Sequence, residues 1–316
     1  MLYQNTRNKI DTYTAHRVLH REASIGEGRI LPLTLPTFDD EKLQQVLSLP
    51  FAETVSEILN VFFPGKITAL DISFALGKAP ARVDAIGQKV LMGVLWDNQS
   101  RSAEHLINTI NDKLCAEAQK PTTWTRIAIQ IAVLFGLFAD LKRQGVEQAD
   151  VAVATGDLET AFAVWYARKM GLPVGAIICV CNENSNCWDF LRRGSLNTGA
   201  QTVNTSLPEM DVQLPLHLET LLFATLGRSA VEEYVNAVNN VGIYSLDEEQ
   251  LPVVNDGIYV CVVGSNRVAD VLSSVAKTDR YALDGYAAAV YGGVQDYRAK
   301  TGKNSYTLVW ANHSPR

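Results

Sequence analysis

VAVATGDLETAFAVWYARKMGLPVGAIICV, residues 151–180, decides the fold because it holds a strand, a helix and a second strand with short connections. Val151 to Ala154 and Val174 to Val180 are short and apolar, which is typical of buried strands. Leu158 to Met170 has the length and pattern of a helix, and Gly171-Leu172-Pro173 would end it. Such a unit predicts two parallel strands in one sheet. The expected fold class is therefore α/β.

The rest of the chain predicts two regions. Residues 1–85 predict a mainly helical N-terminal region, and residues 86–316 predict the α/β core. Asp39 and Asp40 favour the start of the first long helix, because acidic side chains stabilise a helix N-terminus. Other predicted helices are Ala52–Phe63, Ala69–Leu76, Ser102–Ala118, Thr125–Arg143, Leu216–Leu226, Ala230–Val238 and Ala287–Ala299. Other predicted strands are Val90–Leu95, Tyr259–Val263 and Tyr306–Trp310.

Composition excludes several classes of function. The 316 residues carry a formal net charge of −6, which gives no electrostatic reason to bind nucleic acid or an anionic membrane surface. The polar start, Met1 to Arg7, lacks the apolar centre of a signal peptide. The apolar stretch from Ile127 to Ala139 is interrupted by Gln130 and is too short to span a bilayer. We expect a cytoplasmic protein.

The cysteines and histidines predict no metal site. An odd count of five cysteines, without a secretion signal, argues against a disulfide framework. Cys179 and Cys181 would face the same side of a buried strand, and Cys187 follows without an evident fourth ligand, so small buried side chains are favoured over zinc. The histidines lack metal-ligand spacing beside a carboxylate cluster. Gly264-Ser265-Asn266 fits either an anion-binding turn or a plain strand–helix loop.

Several segments resemble threonine synthases, which are pyridoxal phosphate (PLP) enzymes of fold type II. The segments are Met1–Arg7, Ala167–Gly175, Asn182–Ser185, Asp189–Gly194, Leu207–Val212, Glu219–Phe223 and Asp284–Val290, and they follow the family's order. The resemblance implies a fold-type-II parallel-sheet core with the helical N-terminal region attached. It also implies that PLP is the family's cofactor.

The lysine of that family is replaced here. The family motif His-Gly-Pro-Thr-x-Ala-Phe-Lys-Asp resembles the stretch from Leu95 to Glu104, and Ala103 stands at the lysine. A methyl group cannot form the Schiff base that anchors PLP, so no catalytic residue is expected. The next lysines, Lys113 and Lys120, are expected on solvated helix surface.

The family's smaller cofactor domain is expected to be largely deleted. Only His105 to Thr123 separate that motif from Trp124-Thr125-Arg126-Ile127-Ala128, which resembles a family helix lying beyond the smaller domain. This segment is too short to hold a domain.

The loop that binds the cofactor phosphate in the family is also altered. Its Pro-Thr-Gly-Asn-Phe-Gly-Asn run corresponds to Ala154–Thr160, where Asp157 and Glu159 introduce two carboxylates that would repel a phosphate and cap the following helix. Asn312 replaces a threonine that meets the pyridine nitrogen in the family, and it could still hydrogen-bond. The remnant site comprises Thr155, Gly156, Asp157, Glu159 and Asn312, and no bound cofactor is expected.

Three functions follow from the resemblance. The first is a threonine synthase-like protein without catalysis, acting as a binding or regulatory scaffold. The second is a residual PLP- or metabolite-binding enzyme of the family, which converts O-phosphohomoserine to threonine. The third, an authentic threonine synthase using another lysine, is the least supported because three elements fail together. Loss of a domain exposes apolar surface, so a homodimer or another protein partner is expected to cover it.

Overall fold

The computed structural model describes residues 1–8, 12–20, 27–78, 81–95, 103–116 and 123–310. The chain divides into two compact units. Unit 1 comprises Met1–Asp84, Gly93–Gln148 and Ala163–Val174, and unit 2 comprises Ala85–Met92, Ala149–Phe162 and Gly175–Arg316. The domain division between residues 85 and 86 stays a prediction.

Strands and helices alternate along most of the chain. The strands are β1 Leu2–Asn5, β2 Thr12–Thr14, β3 Ile30–Pro32, β4 Arg82–Gly87, β5 Val90–Val94, β6 Ala149–Ala154, β7 Val174–Cys181, β8 Ser195–Asn197, β9 Ile243–Ser245, β10 Ile258–Val262 and β11 Thr307–Trp310. The helices are α1 Ala15–His20, α2 Asp40–Leu47, α3 Phe51–Phe62, α4 Ala69–Leu76, α5 Ala103–Leu114, α6 Thr123–Arg143, α7 Glu159–Lys169, α8 Asn186–Arg193, α9 Leu218–Leu226, α10 Arg228–Asn236, α11 Leu251–Val254, α12 Ser265–Thr278 and α13 Gly285–Thr301. A short 3-10 helix, Pro208–Met210, and a π-helical turn, Ala237–Val241, complete them.

Unit 1 is mainly helical, as the sequence predicts for most of it. Helix α6 packs against α2, α3 and α5. Asp39 caps α2 by accepting a hydrogen bond from the backbone N–H of Lys42, so the acidic start predicted from the sequence is confirmed. The short extended pieces near the N-terminus, whose pairing was not predictable, form a small antiparallel sheet in the order β2-β1-β3.

An aromatic cluster forms much of the core of unit 1. Trp124, Tyr166 and Phe62 pack edge-on or tilted against one another, with ring centroids 5.2 to 6.3 Å apart. The Tyr3 hydroxyl donates a 2.7 Å hydrogen bond to the carbonyl oxygen of Phe62 at the end of α3. This bond ties β1 to the helical core.

Helix α6, Thr123–Arg143, confirms the helix predicted over Thr125–Arg143 and contains the apolar stretch from Ile127 to Ala139. Its length and composition would suffice to cross a membrane, but 89% of its most apolar 18-residue segment is buried inside the protein. Its apolar character is therefore explained by burial in unit 1.

A six-stranded sheet, most of which lies in unit 2, has the order β10-β7-β6-β11-β5-β4. The registers show β10 parallel to β7, and β11 parallel to both β5 and β6. The strand–helix–strand unit predicted from residues 151–180 is confirmed as β6, α7 and β7, and β6 and β7 are neighbours in the sheet. Helix α13 packs on β6, β10 and β11. The expected α/β fold class with a mostly parallel sheet is confirmed.

Several other elements had no clear sequence signal. Strands β8 and β9 form a separate two-stranded antiparallel sheet, although both are only three residues long. Strand β4 alternates exposed and buried positions only weakly. Helix α8 is short and was not predicted from the sequence.

Candidate functional site

Polar residues gather where the strands of the large sheet end. Strands β6, β7 and β10 end at Ala154, Cys181 and Val262. The backbone N–H of Thr155 donates to the Val180 carbonyl at 2.8 Å, which places the ends of β6 and β7 side by side. Ligands of open α/β sheets bind at the carboxyl ends of the strands, so this edge is the candidate site.

The loop from Thr155 to Glu159 joins β6 to α7 at this edge. Thr155 is buried, and the Asp157 Oδ1 atom accepts a 3.0 Å hydrogen bond from the backbone N–H of Glu159. Asp157 therefore satisfies a backbone donor at the start of α7, as expected of a capping side chain. Leu158 has φ 67°, a left-handed conformation that is uncommon for a residue other than glycine.

The chain itself covers one side of this loop. A Cβ atom placed on Gly156 would overlap the backbone carbonyl oxygen of Glu209 and would lie 3.4 Å from the Cα atom of Met210. Only glycine allows this close approach of two backbone segments. Glycine at position 156 therefore allows the segment around Glu209 to pack against the loop.

His217 lies beside the Asp157 and Glu159 carboxylates of the loop. Its backbone N–H donates to the Asp157 carbonyl at 2.9 Å. Its ring is buried, with Nδ1 3.3 Å from the Thr220 hydroxyl and Nε2 3.7 Å from Glu159 Oε2. One ligand atom from each of Asp157, Glu159 and His217 lies within 4.8 Å of the others. The sequence did not predict this cluster, because His217 is far from the loop along the chain.

A network of amides and one carboxylate follows β7. Asn182 and Asn184 donate from their Nδ2 atoms to Asp211 Oδ1 at 2.6 and 3.0 Å. The Thr205 hydroxyl donates to the same oxygen at 2.7 Å. Burial raises the pKa of Asp211, but the hydrogen bonds from Thr205, Asn182 and Asn184 outweigh burial and hold that pKa below its ordinary value. The network fixes the segment that follows Glu209.

The Gly264-Ser265 turn binds the side chain of Glu183. Glu183 Oε1 accepts hydrogen bonds from the backbone N–H of Ser265 at 2.8 Å and from its hydroxyl at 2.7 Å. Burial raises the pKa of Glu183, but the hydrogen bonds from Ser265 outweigh burial, so that the net shift of this pKa is downward. An internal carboxylate thus occupies the start of α12, which favours the plain-loop interpretation of this turn.

The cysteines are free thiols and all five are buried. Contact with Cys187 and burial raise the pKa of the Cys181 thiol well above its ordinary value. Protonated buried thiols are poor metal ligands, since the thiolate is the form that binds metal. The interpretation of the cysteines as small buried side chains is consistent with this.

The structure places the predicted site residues unevenly. Ala103 is the first residue of α5 and is fully buried in unit 1. Thr155, Gly156, Asp157 and Glu159 lie together in unit 2, whereas Asn312 lies outside the described residues. The remainder of the Leu95–Glu104 stretch, from 96 to 102, and Lys120 also lie outside them. Lys113 is largely exposed and pairs with Asp71 at 3.3 Å, as expected of a surface lysine.

These residues are a poor match to PLP, which the resemblance implies as the family's cofactor. An imine requires an amine, and Ala103 offers only a buried methyl group. A phosphate site requires hydrogen-bond donors and positive potential, yet the loop presents the carboxylates of Asp157 and Glu159. The Glu209 carbonyl also closes on Gly156. As they stand, these residues do not fit the group.

Comparisons with known proteins agree with the resemblance. Residues 2–79 match the family described as "Threonine synthase N terminus". A threonine synthase of Methylobacillus glycogenes is 30% identical over 166 residues, which cover 51% of this chain and 34% of that protein. The human protein "Threonine synthase-like 1" is 22% identical over 172 residues, covering 52% of this chain and 23% of that protein.

A solved structure shares the fold. The crystal structure of a PLP-bound threonine synthase from Brucella melitensis superimposes with a TM-score of 0.84 at 18% identity, covering 100% of this chain and 89% of that chain. The matched part of this chain spans only 34% of the Methylobacillus protein and 23% of the human protein. The chain is therefore similar in sequence to threonine synthases over its N-terminal region and about half of its length, and it has the fold of these fold-type-II PLP enzymes.

Proposed function

We propose that this chain is a threonine synthase-like protein that does not carry out PLP chemistry and acts instead as a binding or regulatory scaffold. The observation that carries the proposal is Ala103, which stands where the resemblance places the catalytic lysine and is fully buried. A buried methyl group cannot form the covalent link to PLP.

The loop after β6 supports the same proposal. Asp157 and Glu159 put two negative charges where a relative would hold a dianionic phosphate, and like charges at this range repel. The loop is also closed by the Glu209 carbonyl and by the hydrogen bond from His217 to Asp157. PLP binding is therefore proposed to be lost as well as PLP chemistry.

A second candidate function is binding of a small metabolite by a residual site. It is favoured by the buried polar side chains that remain at the carboxyl edge of the sheet, above all Thr155, Asn182 and Asn184. Convergent polar groups at this edge are the usual features of a ligand site. A thermal-shift screen of amino acids and phosphorylated metabolites tests it, and a saturable rise in melting temperature would support it.

The chain is also proposed to act in the cytoplasm and to associate with itself or with another protein. Light scattering of the purified chain tests self-association. A mass of two or more chains supports it, and a clean monomer across a range of concentrations contradicts it.

The decisive test of the proposed function is reaction with PLP. The purified chain is incubated with PLP, scanned for imine absorbance near the edge of the visible range, and then reduced with borohydride. We expect only scattered surface adducts at the level given by the same chain unfolded in urea. A stoichiometric adduct on one lysine, formed by the folded chain alone, would overturn the proposal.

A further inference from the structure

Asp157, Glu159 and His217 converge on one point at the start of α7. Each supplies one ligand atom, and these atoms lie within 4.8 Å of one another. Two ligands of one metal ion, each about 2.0–2.2 Å from it, are separated by a little over 3 Å. The three atoms therefore need only small side-chain adjustments to reach a shared ion.

The His217 ring points into this cluster from a buried position. Its side chain is 1% exposed, and its Nε2 atom lies 3.7 Å from Glu159 Oε2. That separation is too long for a hydrogen bond but fits two ligands of a common ion. The buried imidazole therefore adds a nitrogen ligand that does not come from an acidic side chain.

The surroundings hold the ring as they hold metal-binding histidines elsewhere. The other ring nitrogen, Nδ1, lies 3.3 Å from the Thr220 hydroxyl, a contact that orients Nε2 toward the carboxylates. The backbone hydrogen bond from His217 to the Asp157 carbonyl fixes the distance between the two segments. The site is thus braced before any ion binds.

The charges also match a divalent cation. The carboxylates of Asp157 and Glu159 supply negative charge, and His217 supplies an imidazole nitrogen. The Glu159 side chain is only 12% exposed, so an ion bound to its carboxylate would be shielded from most of the solvent. Two oxygen ligands and one nitrogen ligand suit Mn²⁺, Fe²⁺ or Zn²⁺, with water filling the remaining positions.

We propose that Asp157, Glu159 and His217 form a binding site for a divalent transition-metal ion. This inference names a ligand for the proposed binding role. It rests on the proposed function only because both place a ligand at the altered loop after β6. The loop that would hold a phosphate in a relative holds a cation here.

The test is titration of the chelator-treated, dialysed full chain with MnCl₂ in a calorimeter. Manganese is chosen because the buried thiols compete for it less than for zinc. We expect saturation at about one Mn²⁺ per chain. Asp157→Asn should weaken binding at least tenfold, and it should fold because asparagine is an equally good helix cap. Glu159→Gln should weaken binding to a similar extent.

Asp189→Asn is the matched control, since it makes the same change on a partly exposed residue of α8 outside the cluster. It should bind Mn²⁺ like the unaltered chain. Circular dichroism confirms that each variant is folded. Absence of saturable binding, or equal binding by Asp157→Asn and Glu159→Gln and the unaltered chain, would overturn the inference. Neither result bears on the proposed loss of PLP chemistry, which the reduction with borohydride decides separately.

Discussion

The carbonyl oxygen of Glu209 lies directly against Gly156, in the space that a β-carbon at position 156 would fill. The relationship joins the loop after β6 to the 3-10 helix Pro208–Met210. Because the oxygen belongs to the backbone, it cannot rotate away as a flexible side chain would. Gly156 is therefore fixed by packing within the protein, and the loop is held closed by the segment it contacts.

Gly156→Ala should destabilise the protein by about 1–3 kcal/mol, because one extra methyl group in a closely packed place forces the backbone to shift. Urea unfolding measures the change. Gly199→Ala is the matched control, since its added Cβ would meet only the Asn197 Oδ1 atom at an ordinary 3.6 Å. Its effect should stay within about 1 kcal/mol. Equal effects of the two changes would show that the contact with Glu209 does not constrain the loop.

Ala103→Lys should not restore PLP binding, and it should lower the free energy of unfolding by about 3 kcal/mol or more, since taking an ammonium group out of water costs several kcal/mol. Thermal unfolding and reduction with borohydride in the presence of PLP measure both effects. His105→Lys places a lysine on the exposed side of the same helical turn and serves as control. A specific imine on the new lysine of the Ala103 variant would mean that the rest of the cofactor site survives.

Tyr3→Phe should destabilise the protein by about 1–3 kcal/mol, because it leaves the buried Phe62 carbonyl without its hydrogen bond. Burial raises the pKa of Tyr3, so the hydroxyl stays protonated and donates at all physiological pH values. The midpoint of urea unfolding reports the loss. Tyr306→Phe, on a partly exposed ring, controls for removal of a hydroxyl and should be nearly neutral. A neutral Tyr3→Phe would show that this bond contributes little to docking of β1.

Asp211→Asn should destabilise the protein at neutral pH by an amount that shrinks as the pH falls. The pKa of Asp211 is held below its ordinary value of 3.8, so its ionised form stabilises the folded state. That contribution is complete above about pH 5 and is lost as the pH drops below about 4 through the folded-state pKa. Melting temperatures of the two proteins between about pH 7 and about pH 2.5 measure the gap.

The exposed Asp112→Asn, on α5, controls for loss of one negative charge. A gap between Asp211→Asn and the unaltered chain that stayed constant down to about pH 2.5 would contradict a role for the ionised carboxylate in the network with Asn182 and Asn184.

Local sequence was enough to predict much of the fold. The unit of β6, α7 and β7 was predictable because its signals are adjacent: two apolar runs, a helical stretch and the stop at Gly171 to Pro173. The start of α2 was predictable because a capping side chain acts within one turn. The insertion of β11 between β5 and β6 was not, since strand order depends on packing between distant segments.

Only part of the candidate site could likewise be predicted from the sequence. Asp157 and Glu159 were predictable as a departure from the phosphate loop, because the resemblance aligns residues within one short segment. His217 was not, because its place beside Glu159 depends on how the segment before α9 crosses the loop. The closure of Gly156 by Glu209 likewise depends on a contact between distant segments, for which a single sequence carries no periodic signal.

The most direct test of the proposed loss of PLP chemistry uses O-phosphohomoserine, the substrate implied by the resemblance. The test measures whether the chain releases phosphate from that compound. The purified chain is incubated with that compound and saturating PLP, and both inorganic phosphate and threonine are measured against an active threonine synthase as positive control. We predict that phosphate is released no faster than in the same mixture of O-phosphohomoserine and PLP without the chain. Phosphate and threonine formed together in proportion to the amount of chain, and only when PLP is present, would contradict the proposed function.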